Sequence, residues 1–141
     1  MMREDWDNKA LAIEVVEGCE SEIGRLLWQL EVARERLKER LVGLDTAVLD
    51  TQHPNENSIG TLLYHIAAIE MSWLYEEVVQ TDVFPPEVDE LTCFEVWDDE
   101  GRLTVVKGRT LKEHLHTLDR TRHYLLDVFR QMDLADFRRL R

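Results

Sequence analysis

Apolar residues crowd most densely at 57–79, where Leu62 to Ile69 are all apolar or aromatic except one. A helix that is apolar on every side is a buried helix. This stretch therefore predicts the element around which the others pack. Asn57 or Ser58 in front of it can accept from the orphan N–H groups of a helix start. The single exception is His65. Earlier in the chain, Ile23, Leu26, Leu27, Leu30, Ala33, Leu37 and Leu41 recur at three and four, predicting a helix over 21–42 with one apolar stripe. Ser21 suits its start and Gly43 its end. Glu31, Arg34, Glu35, Lys38 and Glu39 read as its solvated face.

Residues 44–56 read as a connection, with turn chemistry in Gln-His-Pro-Asn-Glu-Asn and His53 exposed in the loop. Pro85-Pro86 excludes helix at that point. Then the period changes. Cys93 to Trp97 alternates, Asp98 to Gly101 is turn-like, and Leu103 to Val106 is apolar and β-branched, which predicts a β-hairpin within 92–107. An isolated hairpin is marginal in water, so it must pack on the helices. Thr110-Leu-Lys-Glu113 is a capping box opening a third long helix, with Leu111, Leu115, Leu118, Leu125 and Phe129 as its stripe. Asp133 suits the cap of a short terminal helix. Residues 1–19 read as an N-terminal arm laid over the domain or over a neighbouring subunit.

Composition narrows the class. The chain has 141 residues, 44% of them hydrophobic and 33% charged, enough for one domain with a core, taken as 1–141. Twenty-nine acidic against 17 basic residues leave a net charge of −12, which opposes nucleic acid and anionic membrane surfaces as partners. No apolar run reaches the length of a membrane span. The acidic N-terminus lacks a signal-peptide core, and the expected location is the cytoplasm. Cys19 and Cys93 are far apart and read as ordinary free thiols.

The candidate chemistry centres on His65. Burying an imidazole costs free energy unless its nitrogens find partners. Two readings are open: a core histidine bonded to a carbonyl or carboxylate, or a metal ligand, since neutral imidazole is the commonest protein ligand. The same helix offers no second ligand. Glu70 lies roughly 140° around it, and Glu76 roughly 16 Å further along. His116, Asp119 and His123 share one stripe of the third helix, but roughly 140–160° from the apolar face, on the outer side. They read as solvated. His114 lies nearer the apolar edge and is expected to be half-buried.

Ser58-Ile-Gly-Thr-Leu-Leu-Tyr-His65-Ile-Ala-Ala-Ile-Glu70-Met-Ser-Trp73-Leu-Tyr resembles the second helix of the DinB-like (YfiT-like) four-helix family. The resemblance extends through Glu22-Ile-Gly-Arg-Leu-Leu-Trp28, Ala33-Arg34, Asp99 to Val106, and Asp127-Val-Phe-Arg130, covering roughly 20–140. It implies a mainly α, up-down-down-up bundle, here with three long helices plus the short hairpin and a fourth helix absent or short. It implies a homodimer and a divalent metal, zinc or nickel, held by three histidines. His65 stands at the position of the first. The other two come in the family as His-x-x-x-His from a fourth helix, a motif this sequence does not contain. In relatives the metal activates a low-molecular-weight thiol for transfer or isomerisation, and a divalent cation does lower the pKa of such a ligand. The resemblance thus leads to a metal-dependent transferase or hydrolase, inactive as this chain if its ligand set stays incomplete. The alternative is a metal-free helical dimerisation or interaction module.

Overall fold

The computed structural model describes residues 12–140. They form α1 (Ser21–Leu41), α2 (Thr46–Asp50), α3 (Ile59–Ser72) with a π-helical continuation Trp73–Val79, α4 (Pro86–Leu91), α5 (Leu111–Arg130) and α6 (Leu134–Arg138). The chain divides into two compact units. Among the described residues, one holds 12–40 together with Leu126–Leu140, and the other holds Leu41–Leu125.

In the first unit, α1 has the expected bounds and ends at Gly43, whose φ of +82° is a conformation that favours glycine. Its buried line differs from the expected one. Ile23, Leu27, Arg34 and Leu41 are buried, whereas Leu26, Leu30 and Ala33 are exposed. Periodicity locates an apolar stripe but not which of its edges faces inward, and the long stem of an arginine can be buried. Arg34 is thus not on the solvated face. Of the expected arm, residues 1–11 lie outside the described residues. Within the rest, the Val16 N–H donates to the Gly24 carbonyl, and Arg130 Nε donates to the Glu17 carbonyl. The Asp133 side chain accepts from the Asp136 N–H and caps α6, as expected.

In the second unit, α3 begins where Ser58 Oγ accepts from the Thr61 N–H. Its buried side carries Leu63, Tyr64, Ala67, Ala68 and Met71. The helix is not covered all round: Leu62 is 42% exposed and Trp73 65%, with Ile66 and Ile69 half-buried between them. Gln80, at φ 61°, closes the π-helical turn. Two short helices occupy segments read as irregular. Asp45 caps α2 by accepting from the Val48 N–H. The double proline starts α4 rather than forbidding it, because Pro86 is its first residue, where a missing N–H costs nothing.

The β-hairpin within 92–107 is not formed, and no strand occurs among the described residues. A single bridge joins Trp97 and Leu103. The Asp98 N–H donates to the Arg102 carbonyl and the Thr104 N–H to the Val96 carbonyl on either side of it, but the groups of Phe94 and Val106 that the next rung would use are taken by α3 side chains. The Tyr64 hydroxyl donates to the Phe94 carbonyl and accepts the Phe94 N–H, both at 2.7 Å. The Val106 N–H donates to Thr61 Oγ1 at 3.1 Å. Between these anchors Asp98 organises the turn, its carboxylate accepting from the Glu100 and Arg102 N–H groups and from Arg102 Nε. Burial pushes the Tyr64 pKa up to about 12, so its hydroxyl keeps the proton it donates.

The capping box of α5 is present: the Thr110 N–H donates to Glu113 Oε2 at 2.8 Å, and the Glu113 N–H donates to Thr110 Oγ1 at 3.3 Å. The buried face of α5 runs through His114, Thr117, Leu118, Thr121, Arg122 and Leu125. This displaces the expected stripe, since Leu111 and Leu115 are only half-buried. The threonines are tolerated inside because each hydroxyl donates to its own helix, Thr117 to the Glu113 carbonyl and Thr121 to the Thr117 carbonyl.

Gly60 lets α5 approach α3. A Cβ there would lie 3.0 Å from His114 Nε2 and 3.2 Å from the Leu49 carbonyl oxygen. Gly60→Ala is expected to destabilise the protein by about 1–3 kcal/mol, as overpacking does. Its urea midpoint measures this, and a midpoint equal to wild type would show that the contact is loose.

Candidate functional site

His65 sits midway along α3, half-buried, and is positioned by the anchoring just described. Phe94 and Val106 are held to Tyr64 and Thr61, which brings the intervening Trp97 against the imidazole. The two rings meet edge to face, with centroids 5.5 Å apart and planes at 68°. His65 Nδ1 is buried and makes no hydrogen bond. An orphaned ring nitrogen of this kind is costly, and it is the main chemical irregularity on the helix.

The other candidates lie elsewhere. The Glu70 carboxylate accepts from Arg122 Nη2 and, at 3.4 Å, from Arg122 Nε; the side chains are 18% and 7% exposed. A carboxylate committed to a buried guanidinium is not poised as a general base. Glu76 is exposed and accepts from the Ser72 hydroxyl at 3.1 Å. His116, Asp119 and His123 are exposed, as their place on the helix implies. Cys93 is exposed and Cys19 half-buried, and burial raises the Cys19 thiol pKa against the opposing charge of Arg130.

His114 is a different case from the one its spacing suggested. It is 1% exposed, at the centre of the α5 face rather than at its edge, and neither ring nitrogen makes a hydrogen bond. Asp50 Oδ1 is also buried and unpaired, while Oδ2 accepts the Gly108 N–H at 2.8 Å. Burial lowers the His114 pKa and the nearby Arg109 adds to that, with Asp50 and Glu113 opposing. The imidazole is therefore neutral at pH 7. The usable signal was the spacing 114, 118, 121, 125, one residue per turn, which counting apolar residues alone misses.

A second cluster joins α4 to α5. Arg120 donates to both Glu87 oxygens at 2.7 and 2.8 Å, and the Tyr124 hydroxyl donates to Glu87 Oε2 at 2.7 Å. These bonds, that from Arg120 foremost, hold the Glu87 carboxyl at about 2. It is an ion-pair cluster with no proton to exchange near neutral pH.

A three-histidine metal site needs three donors converging on one point. Among the described residues no group of three or more His, Cys, Asp or Glu side chains is so placed. His65 is one donor without companions there, so the described residues do not by themselves fit the metal. No helix among them is long and apolar enough to cross a membrane.

The described residues form a mainly α-helical fold, with no strand among them. The family model described as the DinB superfamily matches residues 29–141, and the chain belongs to that superfamily. No curated protein matches it.

Two measurements test the buried polar groups. Glu70→Leu strands the Arg122 charge and is expected to cost about 3–5 kcal/mol, with much of the loss recovered in Glu70→Leu/Arg122→Met. Additive losses in urea denaturation would refute the coupling. For His114, a folded-state pKa below the unfolded value near 6.5 means that its stabilisation is complete above that pH and is lost as pH falls toward the folded pKa. From pH 7.5 down to 5, stability should fall less steeply in His114→Gln than in wild type, by at most ~1.4 kcal/mol per pH unit. Parallel curves would contradict this.

Proposed function

We propose that this protein is a divalent-metal-dependent member of the DinB superfamily, of the thiol-transferase or hydrolase kind, in which His65 is one ligand and another chain lends the others. The observation that carries the reading is the orphaned, buried Nδ1 of His65 in the otherwise apolar or aromatic stretch Leu62–Ile69. A buried imidazole is retained at a cost unless a bond repays it, and the family resemblance puts a zinc or nickel ligand at this position. The homodimer and the low-molecular-weight thiol belong to the same proposal. The dimer is supported by the exposed Leu62 of α3 and Trp73 of its π-helical continuation, apolar surface that a second copy would cover. The thiol is supported by the resemblance.

One observation favours a second reading, a metal-free helical interaction module: the described residues surround His65 with an aromatic ring rather than with further donors. Elemental mass spectrometry on the untagged 141-residue chain separates the two. The metal reading expects about one zinc or nickel per chain, as a site with one open position holds, and its loss in a folded His65→Ala variant. A chain that takes up no metal from an excess would sink that reading and leave the interaction module.

A further inference from the structure

The segments 52–57 and 97–105 face each other across a cleft of about 520 Å³. Its size is that of a small-molecule site. It is also preformed. The Asp50 carboxylate, before the first wall, accepts the Gly108 N–H, and Thr61 Oγ1, after that wall, accepts the Val106 N–H, so the end of the second wall is tied to both sides of the first. Trp97 contributes an indole that is 53% exposed, although its ring also meets His65. Gln52, Asn55 and Asn57 contribute three primary amides.

The charges in the cleft favour one sign of ligand. Arg102 is its one lining cation, and it is already bound by Asp98 and, from the rim, by Glu100. Glu56 lines the cleft with a carboxylate that makes no hydrogen bond or ion pair among the described residues. An anion would have to compete with two carboxylates for Arg102. A cation finds an uncommitted carboxylate, amide carbonyls as acceptors and an aromatic face, and indole is the side chain best suited to attract a cation.

We propose that this cleft binds a small organic cation with a planar, N–H-bearing head on an alkyl stem, an alkylguanidinium, stacked on Trp97 and bonded to Glu56. His65 does not line the cleft, and although Trp97 touches it, Glu56→Gln tests the cleft away from that contact, so failure of the metal reading and failure of this one are distinguishable. A guanidinium plane suits both contacts, because it stacks on aromatic faces and bonds carboxylates with paired donors.

Isothermal titration of the full chain with N-butylguanidinium, and with N-butylurea as its neutral counterpart of the same shape, tests the assignment. The cation is expected to bind at least about tenfold tighter than the urea, the scale of a desolvated cation–aromatic contact plus a charge-assisted bond. Glu56→Gln, a change at an exposed side chain, should weaken it by about three- to tenfold, and Trp97→Ala by about tenfold in a variant whose circular dichroism matches wild type. If Trp97→Ala does not fold, Glu56→Gln decides alone. Acetyl-arginine-amide binding tighter than N-butylguanidinium would assign the cation to a protein partner's arginine, and weaker binding to a free metabolite. No heat at any guanidinium concentration up to tens of millimolar, equal binding of the urea, or a Glu56→Gln variant that binds like wild type would each overturn the proposal.

Discussion

The hydroxyls of Tyr64 and Thr61 decide the shape of the second unit. Each takes backbone groups of the 92–107 segment that would otherwise pair within a hairpin. A two-stranded ladder has little stability in water by itself, whereas a buried hydroxyl on a helix must find a partner. The exchange satisfies both at once. It also sets the chemistry of the region, because a segment held at Phe94 and Val106 presents Trp97 to His65 on one side and to the cleft on the other. Tyr64 packs with Ala68 and Val106 in one buried cluster, so the anchor belongs to the core.

The second theme is the amount of polar chemistry that this unit buries. The inner face of α5 carries an imidazole, two hydroxyls and a guanidinium in line with leucines. The hydroxyls are satisfied by their own helix and the guanidinium by Glu70. His114 is not satisfied at either nitrogen, and Asp50 is satisfied at one oxygen only. Replacing such groups with apolar ones of the same shape is often neutral or better for stability, so their cost is set against what they position. Here Asp50 ties the start of one cleft wall to the end of the other.

His65 and His114 exchange the roles that their spacing implied. The first lies on the most apolar helix and is half-buried beside an aromatic ring. The second lies on an amphipathic helix and is enclosed. What separates them is the neighbouring element: a tethered segment carrying an exposed tryptophan meets His65, whereas Gly60 admits the ring of His114 against the backbone of α3. The metal expected at His65 needs donors that the described residues do not bring to it.

The local signals in the sequence were sufficient for whatever is decided within one turn of backbone. The bounds of α1, the capping boxes and caps at Thr110, Ser58 and Asp133, and the glycine stop at 43 all follow from which side chains can reach which orphan N–H groups, or from a φ that glycine tolerates. The outward position of His116, Asp119 and His123 follows from helix geometry alone. The family, and His65 as the residue needing explanation, were legible for the same reason, since they reside in the order of residues on one helix. The burial of Arg34 and His114, the Glu70–Arg122 pair, and the diversion of 92–107 from hairpin to tethered loop were decided only by tertiary structure. Each depends on a partner tens of residues away in the chain or on which edge of a stripe faces inward. Periodicity carries no information about either, because a polar group looks the same in sequence whether its partner is water or a buried side chain.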